Sequence, residues 1–399
     1  MRLRHPDGST VHLAYCTNVH PAEELDGILR QLAVFAEPVR ERLGAARLGV
    51  GLWLPHRTAR LLAHDEKALA RLRGELSARG LETVTLNGFP YRGFHDPVVK
   101  RAVYAPDWSE PSRLAYTLDL ARILSALLPE DATRGSISTL PLGWRTCWTP
   151  ARHDRARRAL DLLAEGLAEL AARTGRTIRV GIEPEPGCAV STVRDACARL
   201  SGLDTEHIGV CLDACHLAVD FEEPGPALRR LAAAGLPVVK AQLSSALQAD
   251  DPSDPAVRQA LARFAEPRFL HQTRAGAHEA LAHWDDLDLA LRATGGPRAR
   301  TPVEAGWKWR VHFHVPVHAD PCPPLTSTRP VLADTIQALL SGPRPLTDHL
   351  EVETYTWSVL PGTRRSAGPA DKDALVTGIA AELAWARDRL LASGLKEPD

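Results

Sequence analysis

The sequence predicts an α/β fold, a closed (β/α)8 barrel with a long insertion between strands seven and eight. Two observations carry this. Strand-like and helix-like stretches alternate along most of the chain, as in a parallel sheet built from strand–helix units. The strands also share one parity pattern: successive side chains point to opposite faces, and only one face is aliphatic. An open doubly wound sheet would alternate too, but helices on both its faces call for aliphatic residues on both parities. Small or polar residues on one parity suit a barrel interior instead.

In chain order, His12–Asn18 reads as strand one, and apolar spacing at Leu25, Ile28, Leu29, Leu32 and Phe35 predicts a helix over Ala22–Leu43. Strand two is Leu48–Leu54, with Gly49, Gly51 and Trp53 inward; a helix over Asp65–Ala78 follows. Strand three is Leu81–Asn87, with Thr83, Thr85 and Asn87 inward. The next loop is rich in aromatics, and Phe89, Tyr91, Phe94 and His95 are candidates for a wall or lid over the barrel mouth. A helix over Pro111–Leu127, strand four (Ser136–Leu140), a helix over Ala151–Ala172 and strand five (Arg179–Glu183) continue the alternation. A further helix leads to strand six, Ile208–Asp213, then a helix over Ala227–Ala234 and strand seven, Pro237–Gln242. Residues 243–348 are far too long for an ordinary connection. They hold helical stretches at Ala256–Arg263 and His278–Ala293 and an extended run, Trp309–Pro316. Lacking an evident core pattern, they are expected to form a lobe of the site within one domain spanning 1–399. Strand eight, His349–Thr354, and a helix over Asp371–Ala392 close the ring.

A net charge of −1 gives no field to attract nucleic acid or an anionic membrane. No apolar run approaches membrane-spanning length, and the start of the chain has no apolar signal core. The seven cysteines form no regular framework, which points to a reducing, cytoplasmic setting. Cys211 and Cys215 read as packing residues.

Chemistry is expected at the C-terminal ends of the strands. There, on the inward parity, strands five to eight end in Glu183, Asp213, Gln242 and Glu353. Three neighbouring carboxylates repel one another unless a cation joins them. Oxygen ligation suits Mn or Mg, and added imidazoles favour Zn, Mn or Fe. His216, three residues past Asp213, and His314 are candidate nitrogen ligands; His312 shares a face with His314. Any one of the carboxylates alone could be an ordinary ion-pair partner, and Gln242 could simply bond a substrate. One layer below, Lys240 and Glu351 are expected to form a buried ion pair; a catalytic Lys240 is the alternative.

Ile182-Glu-Pro-Glu-Pro-Gly187 and Gly209-Val-Cys-Leu-Asp-Ala-Cys-His216 resemble the fifth- and sixth-strand motifs of xylose isomerase-like barrels, a group that includes sugar isomerases and epimerases, hydroxypyruvate isomerase and endonuclease IV. Gln242 looks more like hydroxypyruvate isomerase at that position. Five further stretches are similar to the EboE family of metabolite traffic proteins: Tyr15-Cys-Thr-Asn-Val-His-Pro21, Asn87-Gly-Phe-Pro-Tyr91, Leu270-His-Gln-Thr-Arg274, Val311-His-Phe-His-Val-Pro316 and Glu351-Val-Glu-Thr-Tyr-Thr-Trp357. That resemblance implies a metal-binding barrel encoded beside a secondary-metabolite pathway, with a small-molecule substrate and proteins of the same gene cluster as partners. An endonuclease IV reading needs histidines at the ends of strands three and four, which Asn87 and Ser138–Pro141 do not supply. The superfamily resemblance implies metal-dependent isomerisation or epimerisation, with Glu183 and Glu353 moving the proton. Two rivals stand beside it: a non-catalytic metabolite carrier, and a metal-assisted hydrolase with His216 or His314 activating water.

Overall fold

In the computed structural model, which describes residues 1–277, 280–294, 306–362 and 369–398, eight parallel strands close on themselves. They are Thr10–Cys16, Leu48–Trp53, a third strand interrupted into Leu81–Glu82 and Thr85–Asn87, Arg134–Thr139, Thr177–Ile182, Ile208–Asp213, Val238–Leu243 and His349–Val352. Each pairs with the next, and strand eight pairs with strand one, so no edge is left within the ring. A short strand, Arg2–Arg4, runs antiparallel to strand one.

The inward parity explains the barrel's small residues. A methyl group on Gly51 would lie 1.3 Å from Oε1 of Glu351, so glycine there makes the room that the acid occupies. The interior is stacked in polar layers. In the lowest, Ser136 Oγ donates to Thr85 Oγ1 at 2.9 Å and lies 2.8 Å from His349 Nδ1. Above it, Lys240 Nζ and Glu351 are paired at 2.5 Å, both fully buried. Burial by itself lowers a lysine, but the Glu351 charge overrides it and Lys240 is held above its usual range.

Several boundaries differ from the sequence expectation. The first helix is three segments, Leu25–Gln31, a π-helical turn Leu32–Ala36, and Glu37–Arg42. Pro38 within it has no N–H to give, and a widened turn absorbs the lost bond. A helix at His56–His64 was not expected; the following one, Glu66–Ala78, is capped by Asp65, whose side chain accepts from the backbone N–H of Lys67 and Ala68.

The largest departures lie in the insertion. Of the helix expected over His278–Ala293, residues 278 and 279 lie outside the described residues, and the rest divides into a strand, Ala280–Trp284, and a helix, Leu287–Thr294. That strand belongs to a second sheet with Thr273–Ala277, Lys308–His314, Ala246–Ala249 and Thr326–Ser327. Contrary to the expectation, the insertion does have a core: Leu247, Val257, Leu261, Trp309, Val311 and Phe313 cluster with Trp53 at the end of strand two and with Phe94 and Tyr355 from the barrel loops. Helix Arg329–Leu340, also unexpected, packs against helices Pro224–Ala233 and Pro369–Ala392 and completes the outer ring between strands seven and eight.

Candidate functional site

Strand ends converge on a pocket at the C-terminal mouth. Glu183, Asp213 and Glu353 each offer an oxygen there, all within 4.8 Å of one another, and all three residues are buried. Burial first, and the neighbouring carboxylates second, push Glu183 well above the usual carboxylate range and Glu353 up to about 8.

Protein groups satisfy one side of this cluster and leave the other bare. Asp213 caps the helix Ala214–Val219: its Oδ1 accepts from His216 N at 2.9 Å and from Ser244 Oγ at 2.7 Å. Asp213 Oδ2 and Glu183 Oε2 are buried without a hydrogen-bond partner. Glu353 Oε1 accepts from Asn18 Nδ2 at 2.7 Å and from Asn87 Nδ2 at 2.8 Å. Gln242 lies opposite Asp213 in register, fully buried, and neither of its amide atoms has a partner.

The inserted sheet brings the imidazoles. His314 Nδ1 donates to the Glu353 carbonyl at 2.7 Å, which leaves Nε2 as a bare acceptor 4.0 Å from Asp213. Burial holds His314 down to about 4 and His312 well below its usual value, so both are neutral. His216 Nδ1 faces the Pro184 carbonyl at 2.9 Å, and His312 Nδ1 faces Gln272 Oε1 at 2.7 Å. The Gln272 amide is itself oriented, since its Nε2 donates to Tyr104 Oη and Glu185 Oε1. The two imidazoles turn their Nε2 atoms towards each other, 3.0 Å apart, where a shared proton or a cation would satisfy both.

This donor set fits a divalent cation: three clustered carboxylates, neutral imidazoles, and orphaned buried atoms on Glu183, Asp213, Gln242 and His314. Asp213, His216 and His314 form one overlapping group of possible ligands, and Glu185, His216 and His312 another.

All six residues singled out from the sequence (Glu183, Asp213, His216, Gln242, His314 and Glu353) come to this end of the barrel. Of the third-loop aromatics, Phe89 and Phe94 line the pocket, whereas Tyr91 stacks on His56, and His95 bonds the Asn18 carbonyl at 2.7 Å. Sequence reasoning gave no role to Asn18, Glu185, Tyr104, Gln272 or Tyr355. Glu185 carried a usable signal, an acid two residues beyond Glu183. Asn18 closed the stretch read as strand one, on the parity of Ala14 and Cys16, although the structure places it just past the strand in the turn Thr17–Val19.

The model of the family described as xylose isomerase-like TIM barrel matches residues 41–271. No curated protein matches the chain. Among solved structures, a presumed sugar phosphate isomerase/epimerase from Anabaena variabilis is 15% identical over 97% of this chain and 100% of its own, with a TM-score of 0.51. D-Psicose 3-epimerase from Clostridium cellulolyticum is 12% identical over 95% of this chain and 99% of its own, with a TM-score of 0.48. At such identities the first likeness is one of fold, and the second adds no argument.

Proposed function

Because the chain belongs to the xylose isomerase-like TIM barrel family, we propose that it is a metal-dependent isomerase or epimerase of a small polyhydroxylated or α-hydroxycarbonyl compound. The observation that supports this most is the buried trio Glu183, Asp213 and Glu353, whose oxygens lie within 4.8 Å of one another, with one oxygen each of Glu183 and Asp213 unpartnered, beside the neutral His314. A divalent cation (Mn, Zn, Mg or Fe) would be held by these three with Gln242, His216 and His314, and would supply Lewis acidity to a substrate oxygen.

The chain's own groups do the rest. Asn18 and Asn87 fix one oxygen of Glu353 and leave the other to face the substrate. Glu183 keeps a free oxygen as well. One carboxylate removes the proton from the carbon next to the carbonyl, and the C–H electron pair becomes the C=C of an enediolate. Returning a proton to the neighbouring carbon, while the hydroxyl proton passes from one substrate oxygen to the other, isomerises the substrate; delivery by the second carboxyl to the opposite face of the same carbon epimerises it. The sequence resemblance to EboE leads us to place the substrate in a secondary-metabolite pathway, with proteins of that cluster as partners. Seven free cysteines fit a reducing cytoplasm, and no described helix is long and apolar enough to cross a membrane.

The test is metal content by mass spectrometry for protein purified without chelator, together with deuterium uptake from solvent into sugars and hydroxyketones. Stoichiometric metal that is lost in Asp213→Ala, with uptake that is lost in Glu353→Gln, is the expected result. Absence of metal even after titration would overturn the metalloenzyme reading and leave a carrier in its place.

A further inference from the structure

One half of the pocket is of the wrong chemistry for a bare sugar. Besides the acids, it is lined by Phe89, Phe94, Val99, Val103, Phe269 and Leu270. The aromatics are assembled before any ligand arrives: Phe94 and Phe269 have ring centroids 5.1 Å apart, and both touch Tyr355, at 5.3 and 4.9 Å. Tyr355 joins the two halves, since its ring lies 4.7 Å from that of His314. The wall draws on the loop after strand three, the inserted lobe and the turn Tyr355–Val359, so three separate segments converge to make an apolar surface over a polar floor.

The charges point the same way. Lys100, the one lysine or arginine among the described residues lining the pocket, is engaged by Asp286 at 2.6 Å and by the Glu266 carbonyl at 3.3 Å. The floor carries Glu183, Glu185 and Glu353, with Asp213 beside them. The floor is thus built of acids, and among the described residues a phosphate would find no free lysine or arginine in the lining to receive it.

We infer that Phe89, Phe94, Val103 and Phe269 form a binding subsite for an aromatic or hydrocarbon substituent, and that the ligand is an uncharged amphiphile: an α-hydroxycarbonyl or polyol head over the acids, joined to an apolar group, and not a sugar phosphate. The head's chemistry rests on the proposed isomerase reading; the apolar subsite rests on the wall alone.

Three probes separate the two. They are hydroxyacetone, the same ketone bearing a phenyl ring on its methyl carbon, and dihydroxyacetone phosphate. Dissociation constants are measured by calorimetry on the metal-loaded protein, and deuterium uptake beside the carbonyl by NMR. Burying a phenyl ring should make the aryl ketone bind at least about tenfold tighter than hydroxyacetone, and the phosphate should gain nothing. Phe269→Leu and Val103→Phe should each shrink the aryl preference; should the first not fold, the second still decides. An aryl ratio near one, tighter binding of the phosphate, or no binding of any probe would overturn the subsite. Aryl preference without deuterium uptake keeps the subsite and sinks the isomerase reading, and uptake without preference does the reverse.

Discussion

Two carboxamides donate to the same oxygen of Glu353, and in the proposed mechanism that fixes which oxygen remains for chemistry. A hydrogen bond to a charged group is worth about 1.5–3 kcal/mol. Asn87→Ala should therefore slow substrate deuterium exchange roughly ten- to a hundredfold, and the change should appear in kcat more than in KM; an unchanged kcat would remove Asn87 from the role. One layer down, Lys240 and Glu351 form a fully buried pair. Lys240→Met strands a carboxylate in the barrel and should cost about 3–5 kcal/mol in urea unfolding, whereas adding Glu351→Leu should recover most of that loss. A double variant as unstable as the single one would mean that the pair fixes barrel packing beyond its charges. The pair was legible from strand parity alone, since Lys240 and Glu351 precede Gln242 and Glu353 by two residues. Asn18 was open to the same reading and was passed over: it ends the stretch read as strand one, two residues past Cys16.

Elements that carry strict alternation were found, and those that borrow their structure from partners were not. The stretch Ala280–Trp284 is Ala-Leu-Ala-His-Trp, a composition that favours helix. It is a strand because Thr273–Ala277 pairs with it along its whole length. The core of the lobe did have a signal, which went unused: Trp309, Val311 and Phe313 alternate with His312 and His314, apolar on one face and imidazole on the other. The lobe is fastened to the barrel through the segment after strand six. Arg274 pairs with Asp220 at 2.9 Å, both nearly buried, while Arg310 donates to the Ala218 carbonyl at 2.8 Å and lies over the Phe221 ring. Asp220→Ala leaves a buried guanidinium unpaired, a loss of about 3–5 kcal/mol. The expected result is faster proteolysis within the lobe than within the barrel, with metal affinity reduced as His314 loosens. Uniform cleavage along the chain would show that the lobe and barrel unfold together.

At the scale of the whole molecule, the closed ring was legible because inward small and polar residues recur in every strand, a property no single boundary error can hide. What fastens the ring from outside was not legible. Glu382, on the C-terminal helix Pro369–Ala392, is buried, and it accepts from Val317 N at 3.1 Å, Thr354 Oγ1 at 2.6 Å and Trp357 Nε1 at 3.0 Å. One side chain thus ties the segment after the lobe strand Lys308–His314, the residue after Glu353 and the following turn to the last helix. Burial outweighs these three donors and raises the Glu382 carboxyl to about 7, from an ordinary 4.5. The sign follows from proton linkage. Between those values the folded protein binds more protons than the unfolded chain, so stability falls as pH rises. The contribution is complete below about pH 4.5 and is lost as pH climbs through about 7; the shift corresponds to about 3 kcal/mol. Urea unfolding of Glu382→Gln, which cannot ionise, should show a flatter stability profile than the parent across that window and match the parent's slope outside it. Equal slopes within the window would mean that Glu382 stays ionised in the fold, its three donors outweighing its burial.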